Sequence, residues 1–177
     1  MAYFSEEQTT KWRNTQAMKP IGAKVVLTNA EGKLLIVKPT YKPGWQFVGG
    51  AVEKNESPLQ GAFRETKEEI NVDLDVTALT FKAVTYEPAI KGRADVLFVI
   101  FAAQLTEEQI ANIEVQREEI EEYQFVSYEE LTRFAPGNSP QAMRALMEAG
   151  ALSGYTESGQ PEIGVFITEK IIPAAKE

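Results

Sequence analysis

Between Gly49 and Val72 the chain reads GGAVEKNESPLQGAFRETKEEINV. The glycine pair stops the aromatic run before it, and Asn55-Glu56-Ser57-Pro58 then opens a helix. Ser57 is a good N-cap, Pro58 suits the first helical turn, and Gln60 completes a capping box. The helix ends near Ile70, where Asn71 can take the left-handed cap conformation. At about 100° per residue, Leu59, Ala62, Phe63, Thr66 and Ile70 fall on one stripe, the packing face. Glu65, Glu68 and Glu69 cluster beside it. Gly61 lies on the same arc, so the helix has no bulk there and something can approach closely.

This acidic arrangement is locally unfavourable. Glu65 and Glu69 are like charges at i,i+4, which costs a few tenths of a kcal/mol. Glu68 and Glu69 also sit in the last turn, where the helix dipole disfavours negative charge by roughly 0.3–1 kcal/mol. Arg64 reaches Glu68 at i,i+4 but cannot neutralise three carboxylates. A solvated acidic face is the ordinary meaning of such a cluster. A sequence that breaks local rules beside a Gly-Gly turn, with backbone carbonyls on offer, points instead to a hard divalent cation, Mg²⁺ or Mn²⁺.

Elements on either side suggest a mixed sheet with helices on both faces. Ser5 and Gln8 cap a short helix that runs to about Asn14. Strands are expected over 21–27 and 33–38, joined by the turn Asn29-Ala30-Glu31-Gly32 as a hairpin. Further strands are expected over 45–48, 72–76, 79–86, 95–105 and 123–126. The apolar run Val96-Leu97-Phe98-Val99-Ile100-Phe101 suggests burial on both faces. Thr106 and Gln109 cap another short helix, Ser127 begins a helical turn, and 140–148 reads as a helix closed by Gly150. The expected organisation is one domain over 1–177, with a helical arm over about 1–20 and a tail over about 151–177 whose apolar patch, 165–172, has no assigned place.

Composition removes several chemistries. The chain has neither cysteine nor histidine. Disulfides, thiolate or imidazole metal sites and Ser-His-Asp triads are therefore excluded, leaving carboxylate, Lys and Tyr. The absence of cysteine fits a reducing cytoplasm. No apolar run approaches the ~20 residues of a membrane span, and Met1 to Pro20 lacks the apolar core of a signal peptide. With 18 Lys+Arg against 26 Asp+Glu and a net charge of −8, no nucleic-acid partner is expected, because affinity for a duplex comes largely from basic contacts to phosphate. A small phosphorylated ligand remains acceptable if divalent cations stand between the two sets of negative charge.

The 49–72 segment resembles the Nudix box, carried here by Gly50, Glu56, Arg64-Glu65, Thr66, Glu68-Glu69, Asn71 and Val72. Thr66 stands where an aliphatic residue is usual, and its methyl can still pack. Asn71 replaces a glycine, and Val48 stands where many members have proline. The lead-in Trp45-Gln46-Phe47 and the Glu-rich segment before Phe125-Val126 extend the likeness over roughly 20–150. The resemblance implies an α/β/α sandwich with a mixed sheet. It also implies hydrolysis, with Mg²⁺ or Mn²⁺, of a diphosphate linked to another group, usually in a nucleoside diphosphate derivative. By the same resemblance, Glu68 and Glu69 are metal ligands, with the Gly49 or Gly50 carbonyl joining them. Glu65 binds metal or acts as general base, Arg64 orients the carboxylates, and Glu56 braces the loop or Arg64. A further carboxylate is expected from Glu118, Glu119, Glu121 or Glu122, with Glu119 favoured and Glu122 second. Lys38, Lys42 and Arg93 are candidate phosphate contacts, and Tyr41, Trp45 and Tyr86 candidate stacking residues.

Two competing readings are weaker. The isomerases that share this fold use a cysteine, which this chain lacks. A Nudix-like nucleotide-binding regulator with an added winged helix needs more chain after residue 150 and a more basic charge. A non-catalytic binding domain is expected to lack some box carboxylates, and all are present. The substrate is set by loops outside the box and stays open among oxidised nucleotides, nucleotide sugars, ADP-ribose and dinucleoside polyphosphates. The acidic 107–122 segment and the tail either shape that pocket or make a homodimer contact.

Overall fold

A computed structural model describes residues 4–89, 92, 94–127, 130–131 and 154–157 of the chain. The elements, in chain order, are α1 (Glu6–Arg13), β1 (Ile21–Thr28), β2 (Leu34–Pro39), α2 (Pro58–Ile70), β3 (Thr80–Glu87), β4 (Val96–Gln104), α3 (Glu107–Ala111), β5 (Ile120–Val126) and β6 (Gly154–Glu157). They form an α/β fold on a six-stranded sheet of order β5-β2-β1-β4-β3-β6. The sheet is mixed: β1 runs parallel to β4 and β3 parallel to β6, while the other pairs are antiparallel.

The hairpin between β1 and β2 splays. Its strands pair only at Thr28↔Leu34, beside the turn. Beyond that point residues 46–51 enter the gap and bridge to both sides, through Val25↔Val48, Gly22↔Ala51 and Val37↔Gln46. The strand expected over 45–48 is therefore a wedge of isolated bridges. The wedge leads directly into the loop before α2, so it carries the glycine pair to the helix.

Each sheet face has its own core. Ala23, Val25 and Leu27 of β1, Leu35 and Val37 of β2, and Phe101 and Ala103 of β4 pack against Ala62 and Ile70 of α2. On the opposite face, Val26, Leu34, Ile36 and Ile100 pack with Phe47 and Leu131. The period-2 alternation of β1 and β2 supplies both sets, because successive side chains point to opposite faces. Ile110 of α3 joins the α2 face. On the far face only Ser127, Glu130 and Leu131 of the expected helical turn are described, and the helix over 140–148 and the patch over 165–172 lie outside the described residues.

The three helices among the described residues begin with the capping boxes read from the sequence, at Ser5/Gln8, Ser57/Gln60 and Thr106/Gln109. Two expectations need correction. Residues 72–76 form no strand: Val72 is buried against α2, but the segment pairs with no neighbour. The run in β4 is not buried throughout: Leu97, Phe98 and Val99 are half-buried. High apolarity there reflects a central position between β1 and β3 rather than full cover on both faces. No helix among the described residues is long and apolar enough to cross a membrane.

Candidate active site

The wedge and α2 meet at the glycine pair. Gly49 has φ +121°, and a Cβ there would lie 2.1 Å from the Ala23 carbonyl oxygen. Only glycine allows the chain to pass so close to β1. A Cβ on Gly50 would lie 2.7 Å from both carboxylate oxygens of Glu65, so the bare Gly50 backbone makes room for that side chain. At Gly61 the expected close approach is made by the chain itself: Glu56 Oε2 and Val52 fill the space.

Arg64 uses all five of its N–H donors, four on carboxylates and one on a backbone carbonyl. Nε and Nη2 donate to the two oxygens of Glu56, at 2.9 and 3.0 Å. Nη1 donates to Glu65 Oε1 at 2.8 Å and to Glu68 Oε2 at 2.9 Å. Nη2 also donates to the Ala51 carbonyl at 2.9 Å. Glu56 in turn accepts from the Glu53 N–H at 2.8 Å, bracing the loop as well as the arginine. The guanidinium bonds and that backbone N–H hold Glu56 below the usual carboxylate range. Burial pushes the Glu65 carboxyl up, with Arg64 and Lys24 opposing it. Arg64 itself is held firmly charged, first by Glu56.

Glu69 stands apart from this network. It is 3% exposed, and its Oε2 accepts from the Gly49 N–H at 3.0 Å. Burial pushes its carboxyl up to about 7, against the pull of Lys24 and the Gly49 amide. Lys24 is itself buried, and desolvation brings it down to about 8, with Glu69 opposing that shift. A lysine in the middle of an otherwise apolar strand, Ile21–Thr28, was the available sequence signal for this residue, and sequence reasoning passed over it. Glu87, at the end of β3, is a second buried charge that the sequence analysis did not single out.

The loop before β5 reaches the site because α2 leaves carbonyls unpaired at its C-terminus. The Glu114 N–H donates to Ile70 O at 3.1 Å and the Gln116 N–H to Glu69 O at 3.1 Å. On its other side, Thr40 N donates to Glu119 O at 2.8 Å. Glu119 is exposed, and its charge is felt at both Glu69 and Tyr41. Glu121 and Glu122 instead flank Lys38, at 2.9 and 3.4 Å, so Lys38 is engaged by carboxylates. Tyr41 is 67% exposed, bonds to the Gln46 side chain and feels Glu69, Glu119 and Glu65. Lys42 Nζ lies 5.4 Å from the Tyr41 ring centroid. Trp45 packs with the far-face core, and the Tyr86 hydroxyl donates to Asp95 Oδ2 at 3.1 Å. Arg93 lies outside the described residues.

The donors brought together are carboxylate and carbonyl oxygens, a set suited to Mg²⁺ or Mn²⁺. The Gly49 carbonyl accepts from Lys24 Nζ, and the Gly50 carbonyl from the Ala23 N–H at 2.9 Å. Among the described residues, no three acidic side chains converge on one point in this arrangement. Arg64 engages Glu65 and Glu68 while Glu69 is bonded to the Gly49 N–H, so an ion shared by all three would require these side chains to rearrange.

A family model for the NUDIX domain matches residues 18–148. The chain belongs to the Nudix family. Its relatives include an RNA pyrophosphohydrolase of Hydrogenovibrio crunogenus, 41% identical over 66 residues, a match covering 36% of this chain and 40% of that one. An RNA pyrophosphohydrolase of Halorhodospira halophila is 26% identical over 152 residues, covering 76% of this chain and 80% of that one. Among solved structures, the MutT protein from Methanosarcina mazei Go1 superposes with a TM-score of 0.60 at 20% identity, covering 76% of this chain and 95% of that one. This likeness supports the Nudix fold, and the box residues of this Nudix chain occupy the loop and helix described above.

Proposed function

We propose that the protein is a pyrophosphohydrolase dependent on Mg²⁺ or Mn²⁺ that cleaves a diphosphate linkage in a nucleotide-type substrate. The observation that carries this reading is the single arginine holding Glu56, Glu65 and Glu68 beside a buried Glu69. Such a gathering of like charge is unfavourable without a cationic ligand. Glu65, Glu68 and Glu69, with the Gly50 carbonyl, would hold the ion. When bound, the ion offsets the charge that develops on the phosphate oxygens and acidifies an attacking water. Arg64 keeps Glu65 and Glu68 aligned against their repulsion. Glu65, whose Oε1 is taken by Arg64, offers Oε2 to receive the proton of that water. Glu68 has a 52% exposed side chain and so faces an incoming ligand. Glu119 would close the far side of the site, and Tyr41 would contact the substrate beyond the phosphates.

The relatives' names, RNA pyrophosphohydrolase, add an RNA carrying a terminal diphosphate linkage to the substrates worth testing. A net charge of −8 disfavours broad backbone contact with RNA but not capture of a terminal phosphate chain through a divalent ion. The test is a panel of that RNA, nucleotide sugars, ADP-ribose, dinucleoside polyphosphates and oxidised nucleotides, each with Mg²⁺ and Mn²⁺. Cleavage of at least one compound is expected. Glu68→Gln should lower its turnover at saturating substrate by on the order of 100-fold while circular dichroism stays unchanged. Binding without cleavage across the panel would instead support a regulatory nucleotide-binding role.

A further inference from the structure

Gly49 is held by side chains from two different elements. In the wedge, Val48 and Gly50 bond to β1, through Val25 N–H to Val48 O and Ala23 N–H to Gly50 O, both 2.9 Å. Gly49 takes no part in this pairing: among the described residues it makes no backbone–backbone bond outside regular elements. Its N–H donates to Glu69 Oε2 at 3.0 Å. Its carbonyl accepts from Lys24 Nζ, which also donates to Phe47 O at 3.2 Å. Lys24 is 7% exposed, between Ala23 and Val25 at 0%. Burying an ammonium is expensive unless it is fully hydrogen-bonded, and here the bonds are spent on the wedge.

We propose that Lys24 is a positioning residue for the carboxylate site: its ammonium fixes the Gly49 carbonyl, and thereby keeps the Gly49 N–H on Glu69 and the Gly50 backbone against Glu65. The inference rests on the reading of that site as the hydrolytic centre. The peptide before Gly49 is also tied to β1, through Val25 N–H to Val48 O at 2.9 Å, whereas the peptide after it, which carries the Gly49 carbonyl, is tied by Lys24, and a glycine has no side chain to resist its rotation. Releasing the carbonyl lets that peptide rotate about the Gly49 Cα, which removes one of the two constraints that hold Gly49 over Glu69. It also shifts Gly50, whose lack of a Cβ leaves the space that the Glu65 carboxylate occupies. Two of the carboxylates thus depend on one lysine that approaches from the opposite strand and lies outside the Nudix box.

Lys24→Met keeps the apolar stem and removes the donor. It should lower kcat on the best panel substrate at least about 10-fold with KM within about 3-fold, the pattern of misplaced reacting groups. Because the chain has no cysteine, Lys24→Cys alkylated with 2-bromoethylamine restores an ammonium at this one position, and it should recover most of the lost kcat. A readout without substrate is the Gly49 amide in ¹H–¹⁵N spectra. In the unsubstituted protein it should be shifted downfield and protected from exchange, with both features lost in Lys24→Met and restored by alkylation. A rapidly exchanging Gly49 amide in the unsubstituted protein overturns the proposal even if no variant folds. Unchanged kcat and an unchanged Gly49 amide in Lys24→Met, or no recovery on alkylation, also overturn it. If the unsubstituted protein cleaves nothing on the panel, the hydrolytic reading fails while the amide measurement still decides the role of Lys24.

Discussion

At Gly49 a methyl group has nowhere to go, because the nearest atom is the backbone oxygen of β1 at 2.1 Å and φ is +121°. Gly49→Ala should therefore destabilise the fold by more than about 3 kcal/mol in urea melts, combining backbone strain with overpacking. Gly32→Ala is the control. It has φ +75° with nothing within 4 Å, so its loss should be about 1–2 kcal/mol, the left-handed penalty alone. Gly50→Ala separates site from fold. The obstructing atoms are the end of the Glu65 side chain, which can move where backbone cannot. That variant should keep its stability within about 1 kcal/mol yet lose turnover, because Glu65 is pushed from its place beside Arg64.

Among the elements, α2 carries both the packing stripe and the charged groups, and its two ends behave differently. Its N-terminus is closed by Ser57, whose side chain accepts from the Gln60 N–H while Gln60 answers to the Ser57 N–H. Ser57→Ala should cost about 1 kcal/mol and lower the melting temperature by a few degrees without changing KM, since the carboxylates sit nearer the other end. The C-terminus has Asn71 at φ 57°, ψ 28°, and the loop before β5 supplies N–H groups to the last carbonyls. Thr66, unusual for the Nudix box, is fully buried and returns its hydroxyl to Ala62 O at 2.8 Å, so the helix absorbs it without leaving an orphan donor.

For the molecule as a whole, the buried Glu69 and Lys24 make stability depend on pH. Glu69 titrates near 7 when folded against an ordinary value of 4.5. A carboxyl raised in this way contributes stability that is complete below about 4.5 and is lost as pH rises through 7. Lys24 titrates near 8 against 10.5; the unfolded chain holds its proton longer, so its linkage makes stability rise again from about 8 upward. Thermal melts in EDTA should show a minimum between those values, with Glu69 contributing at most about 3 kcal/mol of the fall from pH 5 to 7. Glu69→Gln should flatten that descending limb. Persistence of the full slope in the variant would show that another group drives it. Millimolar Mg²⁺ or Mn²⁺ at pH 7.5 should raise the melting temperature by mass action on the folded state, and the absence of any rise would count against the carboxylates as an ion site.

Much of this was written locally. Caps, the period of α2, the left-handed Asn71 and the motif that marks the family depend on contacts within a few residues, so the order of side chains along the chain sets them. Where strands pair is a different matter. The splay of β1 from β2, the conversion of 45–48 from strand to wedge and the failure of 72–76 to pair arise from competition between distant segments for the same edge, which local periodicity does not encode. Part of the acidic cluster was legible too: the helical wheel places Glu65, Glu68 and Glu69 together, and Arg64 reaches Glu68 within the same helix. The burial of Glu69 against Gly49 was not, because it depends on a contact twenty residues away. The burial and partners of Lys24 became visible only when the wedge was laid across β1, because a charge in an apolar strand acquires meaning from the atoms that surround it.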